Sequence, residues 1–425
     1  MRKLLFIALI GIGLLLALAW GVAFYPHTFP NTPWEGVGIY WENLRGAWFA
    51  VKPAAPKITE KETVSELPLK LPADLSISLF AKDLPGVRVM ARDSFGNFWV
   101  SQTSEGVISF LEMEGGKVKS QSIILKNLKK PHGLAFDPEN PFTLYFAEED
   151  KLSKVTVYPN GLPQKIADLP SGSGHFTRTI GFGPDGRLYV SIGSSCNVCR
   201  ESDNRRAAIY SMKKDGSDFK LYASGLRNAV FFTWAQDGKL WATDNGRDLL
   251  GDDLPPDEIN IIESGKNYGW PICYGKNIHD TVFDKNTYIR NPCMEPFETP
   301  SYIDLQAHSA ALGLAFVPQN GWPEDYQGNL IVAYHGSWNR TEPTGYKVVR
   351  VKLNSSGEFL GIEDFITGWL RRSDEKSGVG VPTVTSGLTS SGKVLGRPVG
   401  VFAEPGGVVY ITDDKAGIIY KISRK

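Results

Sequence analysis

Apolar residues fall along this chain in two regimes. Behind Arg2 and Lys3 they run almost unbroken from Leu4 to Phe24; beyond about Ala73 they come in short bursts parted by Gly, Pro, Asn and Asp. The bursts repeat as one unit: an apolar strand, a turn, then a strand rich in aromatic and β-branched residues. Four copies are Arg88-VMARDSFGNFWVSQ, Gly133-LAFDPENPFTLYFAE, Ile180-GFGPDGRLYVSIG and Ala229-VFFTWAQDGKLWATD. Two more are Leu312-GLAFVPQN…GNLIVAYHG and Pro398-VGVFAEPGGVVYITD. Most continue into a third strand, such as Ala207-AIYSM, Glu258-INII, Lys347-VVRVKL and Gly417-IIYKI.

The first four copies start 45 to 49 residues apart, and the last two intervals are nearly double, so long insertions lie there. A repeat of that length with three or four short strands predicts a β-propeller blade. Six copies predict an all-β, six-bladed β-propeller. A β-sandwich with coincidental turns does not explain the recurring unit. Ring closure removes exposed strand edges, and the first blade is expected to take a strand from one terminus.

The apolar run at the N-terminus is about twenty residues, enough to cross a bilayer as a helix. The expected organisation is a signal anchor or transmembrane helix at 1–24, a Pro-rich linker at 25–72 and the propeller at 73–425. The positive end stays in the cytoplasm, which places the domain on the periplasmic or extracytoplasmic side of the cell membrane. Cleavage after Ala17-Leu18-Ala19 is the alternative, and it exports the domain equally. Charge sharpens the picture by exclusion. With 46 basic and 46 acidic residues and no basic stripe, nucleic-acid binding is set aside.

Four cysteines suit an exported domain. Cys196 and Cys199 form a CxxC, and Cys273 and Cys293 stand twenty positions apart. Two disulfides, Cys196–Cys199 and Cys273–Cys293, are expected, with a four-cysteine zinc site as the rival.

In a propeller the loops feeding the innermost strands crowd one mouth of the central channel. Around that offset the six copies offer Arg88, His132, His175 (five before its strand), Arg227-Asn228, His308 and Arg397. His335 falls near the same mouth by register. A ring of Arg and His donors suits a compact, polyanionic, partly aromatic ligand. Thr243-DNGRDLLGDDLPPDEIN supplies carboxylates and loop carbonyls, hard oxygen donors that suit calcium. A propeller lactonase or other calcium hydrolase would instead need acidic and Asn side chains around a metal. A non-catalytic binding propeller is the third reading.

With these residues in view, the chain resembles the soluble glucose/sorbosone dehydrogenase family of quinoprotein aldose dehydrogenases. The motifs are GSGHFTRTIGFGPDGRLYVSIG around His175, SGLRN around Arg227, and DEIN-x6-NYGWP from Asp257 to Pro271. HGSWNRTEPTGYKVVRV from His335 and LGRPVG around Arg397 complete the set, over Ala73 to Lys425. The resemblance implies pyrroloquinoline quinone and calcium at the mouth, and oxidation of a sugar or related alcohol. It implies His175 as general base and Arg227 as the partner of the reacting quinone oxygens. Asn228, Arg340, Arg397, His308 and His335 are the remaining cofactor candidates. Calcium is expected on backbone carbonyls of Gly246 and Arg247, where the family's usual Pro is Arg247 in this chain. A respiratory-chain acceptor, quinone or cytochrome, is the implied electron partner.

Overall fold

The computed structural model describes residues 68–159, 161–372, 388–389 and 392–425. The chain divides into two units, Met1–Thr59 and Glu60–Lys425, and the first lies wholly outside the described residues. The expected anchor at 1–24 and most of the expected linker therefore fall outside them. Among the described residues no helix is long and apolar enough to cross a membrane.

Six four-stranded antiparallel sheets form the six expected blades. Their innermost strands are Val87–Arg92, Leu134–Phe136, Ile180–Phe182, Phe232–Trp234, Ala311–Phe316 and Pro398–Glu404. The second strands, such as Thr143–Ala147, Leu188–Ile192 and Leu330–Tyr334, are buried along their whole length because neighbouring blades cover both faces. Outer strands such as Gln164–Asp168 lie largely open to solvent.

The aromatic half of the repeat explains how blades pack. Trp99 of the first blade meets Phe136 of the second edge-on at 6.2 Å between ring centroids. The same contact recurs as Tyr145–Phe182 at 5.2 Å, Tyr189–Trp234 at 5.4 Å and Trp241–Phe316 at 5.7 Å. In the first four blades one aromatic on the second strand thus seats against the aromatic ending the next inner strand. Nearer the axis the backbones approach closely. A Cβ on Gly133 would lie 2.6 Å from the Ile180 amide nitrogen, and one on Gly313 2.6 Å from that of Val401.

Closure differs from the expectation. The N-terminal strand Leu75–Ala81 joins the last blade, pairing antiparallel with Ile418–Arg424, while the first blade is complete in itself. The domain edge also starts slightly earlier: Lys70 bridges to Thr367, and Leu69 and Leu71 pack against the core beside the fifth and sixth blades. Between Ile262 and Ile303 the fourth blade carries an insertion with the hairpin Cys273–Tyr274/Ile278–His279, and this insertion bridges in parallel to the third blade at Ser224–Asn267. Both expected disulfides are present, Cys196–Cys199 and Cys273–Cys293, and no cysteine is free among the described residues.

Candidate active site at the channel mouth

In an antiparallel four-stranded blade, the loop entering the innermost strand and the loop leaving the second strand share one end. Two sets of loops therefore build the mouth. The first carries His175, Arg227, Asn228, His308 and Arg397. The second carries Ser194–Arg206, Asn245–Pro256, His335–Tyr346 and Asp414. Hydrogen bonds tie the two sets together in every blade from the third to the sixth.

In the third blade the His175 backbone amide donates to the Ser194 carbonyl at 2.9 Å. Its Nδ1 lies 3.1 Å from that carbonyl oxygen and 3.0 Å from Ser194 Oγ. A carbonyl only accepts, so Nδ1 carries the proton and Nε2 keeps its lone pair. Nε2 makes no hydrogen bond to a described residue. Burial, and next the Arg227 charge, push the ring's pKa down to about 3, so it is neutral at physiological pH. The fully buried Arg178 holds the loop from beneath, donating to the carbonyls of His175, Thr177 and Pro170. Gly193 is the neighbour that lets the ring sit here: a Cβ would come within 2.6 Å of His175 Cβ and 2.7 Å of Asn228 Oδ1.

Arg227 is 4% exposed, and its guanidinium is gripped from three sides. Nε donates to the Asn197 carbonyl at 2.9 Å, Nη1 to the Asn245 carbonyl at 3.1 Å, and Nη2 to Asn197 Oδ1 at 2.9 Å and Asp248 Oδ2 at 3.1 Å. Four of the five N–H donors of an arginine are accounted for, which leaves one on Nη1. Beside it, Asn228 Oδ1 is buried without a partner, and Asn228 Nδ2 reaches Asn245 Oδ1 at 3.4 Å.

The loop after the fourth blade's second strand is braced by Asp257. Its Oδ1 accepts the Gly246 amide at 3.0 Å, and its Oδ2 accepts the Ala310 amide at 2.7 Å. Burial raises the Asp257 pKa to about 6. The carbonyls of Gly246 and Arg247 accept no hydrogen bond from a described residue. The Arg247 side chain, the departure from the family's proline, is buried against Asp280 of the insertion at 3.1 Å. That pairing keeps it out of the way of the loop's own carbonyls.

Across the mouth lies a cationic cluster. Asp414 joins Arg88 at 3.1 Å and His335 Nε2 at 2.9 Å. Burial opposes ionisation of Asp414, yet His335 and Arg88 outweigh it and hold the carboxyl far below the usual range. Burial drives His335 down to about 4, so near neutrality it is an uncharged ring donating Nε2–H to the carboxylate. Arg397 donates to the carbonyls of His335 at 2.9 Å and Gly336 at 2.5 Å. Arg88 also lies over the Phe176 ring at 5.7 Å, one residue from His175. Arg88 and Asp414 gain roles that the motifs do not assign them.

His308 and Arg340 are placed differently. His308 Nε2 donates to the carbonyls of Gly251 and Leu254 at 2.9 and 3.0 Å, and Nδ1 accepts from Asn339 Nδ2 at 3.4 Å, so no ring nitrogen is left. Arg340 donates to the carbonyls of Asp252 and Ala307 and to Asp253 Oδ1. Both side chains clamp the 251–254 loop.

Below the mouth runs a channel of about 690 Å³, walled by inner strands and ringed at its upper end by Arg88, Thr179 and Thr412. Buried polar atoms without partners gather just before four successive inner strands: His132 Nε2, Thr177 Oγ1, Asn228 Oδ1 and Ser309 Oγ. Such atoms are costly unless a ligand satisfies them. Cations for carboxylates, a neutral base, a spare guanidinium N–H and free loop carbonyls together fit a polyanionic quinone with calcium.

A family model described as TrAA12-like matches residues 69–425. The chain is 29% identical over 374 residues to an uncharacterised protein of Borreliella burgdorferi, covering 83% of this chain and 90% of that one. It is 23% identical to the pyrroloquinoline quinone-dependent pyranose dehydrogenase of Coprinopsis cinerea, over 79% of this chain but only 52% of that enzyme. Among solved structures, the calcium structure of the Trichoderma reesei family AA12 enzyme superposes with a TM-score of 0.69 at 19% identity, over 86% of this chain and 99% of that one. At that identity the likeness speaks for the fold.

Proposed function

From the premise that the chain belongs to the TrAA12-like family of pyrroloquinoline quinone-dependent sugar dehydrogenases, we propose that it oxidises a sugar or related alcohol at this mouth, with His175 as the general base. The observation that carries the reading is His175 itself. It is a neutral imidazole, fixed by Ser194 through Nδ1 and free at Nε2, beside a buried arginine with one donor to spare.

The quinone, when bound, supplies the two-electron acceptor for the hydride leaving the alcohol carbon. His175 Nε2 takes the hydroxyl proton as that hydride departs. Arg227 holds its remaining Nη1–H ready for negative charge, and being already fixed on four acceptors it needs no reorganisation. Arg397 and Arg88 would offset ligand carboxylates, with His335 behind them, and Asn228 Oδ1 would accept a ligand N–H. Gly246 and Arg247 carbonyls would hold calcium. His308 and Arg340 serve by keeping the neighbouring 251–254 loop in place. A lactonase would need acidic side chains at liberty here, whereas Asp257 is bound to backbone amides and Asp414 to cations. The anchor read from Leu4–Phe24 would hold the domain outside the membrane, within reach of a respiratory acceptor.

Spectral titration of the purified protein with pyrroloquinoline quinone, with calcium and with a chelator, tests the reading. Saturable binding of one cofactor per chain that requires calcium is expected. Binding unmoved by chelation would remove calcium from the site, and no binding under either condition would overturn the proposal.

A further inference from the structure

The loop between the second and third strands of the third blade, Ser194-SCNVCRE, touches both halves of the proposed machinery. Asn197 sits between Cys196 and Cys199, which are joined to each other. Its carbonyl and its Oδ1 each accept from Arg227 at 2.9 Å. The same Oδ1 accepts the Asp248 amide at 2.7 Å, and Nδ2 returns a bond to the Asp248 carbonyl at 3.1 Å. One side chain therefore ties Arg227 to the loop that carries Gly246 and Arg247.

At the other end, Ser194 accepts His175 Nδ1–H on its carbonyl and hydroxyl, and its hydroxyl donates to the Cys196 carbonyl at 2.7 Å. Ser195 closes the base of the loop on Glu201, through its amide at 2.6 Å and its hydroxyl at 2.7 Å. An irregular loop of this kind has many conformations open to it, and the crosslink removes most of them. Stabilisation by a crosslink grows with the loop it closes, so one spanning three positions adds less to the global fold than Cys273–Cys293, which spans twenty. Local order is what it supplies.

We propose that Asn197 is a positioning residue, and that the Cys196–Cys199 crosslink is a clip that sets the Arg227 guanidinium and the His175 ring in register with each other. The inference rests on the dehydrogenase reading above. A catalytic group displaced by about 1 Å can lose on the order of 100-fold in rate, so the clip acts through geometry and touches no substrate.

The test uses Asn197→Ala and the double variant Cys196→Ser/Cys199→Ser in the full chain, with pyrroloquinoline quinone and calcium saturating. Turnover is expected to fall about 10- to 100-fold in both, with the sugar KM nearly unchanged. The absorbance of the bound cofactor should shift, because the Arg227 donors lose their fixed direction. Without cofactor, the Arg227 Nη2–H resonances, which lose the Asn197 Oδ1 acceptor, should move and exchange with solvent faster than in the parent, while the Asn197→Ala melting temperature stays close to the parent's. Parent-like turnover, spectrum and Arg227 resonance in Asn197→Ala overturn the inference, whether or not the double variant folds. A parent that binds no cofactor overturns the dehydrogenase reading and this inference with it.

Discussion

Two histidines face the same mouth and are tied down by different means. His175 gives its Nδ1–H to a backbone carbonyl, and His335 gives its Nε2–H to the Asp414 carboxylate. A carbonyl fixes the tautomer and does little more, whereas a carboxylate also favours the imidazolium. Burial lowers both rings; at His175 the Arg227 charge adds to it, whereas at His335 the Asp414 carboxylate opposes it. Their surroundings differ too. His175 shares its side with an arginine that retains a donor and an asparagine oxygen that lacks one. His335 stands among Arg397, Arg88 and Asp414, where charge is balanced against charge. The side formed by the third and fourth blades is equipped to exchange a proton. The side formed by the fifth, sixth and first blades is equipped to hold an anion.

Replacing the two histidines separately is the strongest way to break that contrast. His175→Gln should lower turnover by about two to four orders of magnitude while cofactor titration stays near the parent curve. His335→Gln should lower turnover less than about tenfold and weaken cofactor binding instead, since the ring orients the Asp414–Arg88 pair. Steady-state rates at saturating cofactor and calcium decide between them, and a reversed order would move the base across the mouth.

The anion-holding side is sharpened by Arg397→Ala. Loss of one charge-assisted contact is expected to weaken cofactor affinity about 10- to 100-fold, with excess cofactor restoring most of the rate. A rate that stays low at saturation would place Arg397 in the chemistry instead.

The smallest effect concerns stability of the cofactor-free protein. Both histidines have folded pKa values below the ordinary one near 6.5, so between about pH 6.5 and 4 the unfolded chain takes up protons that the folded one refuses. What the two rings contribute to stability is therefore present above that window and is lost as pH falls through it, by at most about 1.4 kcal/mol per pH unit for each ring, while buried Asp257, its pKa raised to about 6, works in the opposite sense. Asp414, with its depressed pKa, adds nothing until pH drops below the ordinary carboxylate range. Denaturant unfolding across the window should show the stability of His335→Gln rising relative to the parent's as pH falls. An unchanged difference would mean that His335 is protonated in the native state.

The ring was legible in the sequence because the first four blades repeat one solution to one packing problem. An aromatic on the second strand must meet an aromatic ending the next inner strand, as in Trp99–Phe136 and Trp241–Phe316, and that requirement writes itself at a fixed spacing. His175, Arg227 and Arg397 were legible by their offset from those strands. Asn197 and Asp414 were not, since the offset counted only loops entering the innermost strands, and these two lie on the equally close loops leaving the second. The signal for Asp414 is its place just past a second strand, next to Asp413 at the end of Val408–Asp413. His308 and Arg340 show the converse limit: position along the chain placed them near the mouth, but nothing in it says that their side chains turn toward the carbonyls of residues 251–254. Arg88 and Asp414, 326 positions apart, could meet only once the ring was known to close between first and last blades.

That closure has a bearing on how the protein is made. Leu75–Ala81 leaves the ribosome some 340 residues before Ile418–Arg424, the strand it pairs with, so it waits through the synthesis of five blades with its edge bare. Until the sixth arrives, Arg88 has no Asp414 and the cradle for an anion is missing a wall. The order of events is written into the topology: the pairing of Arg88 with Asp414 waits for the last blade.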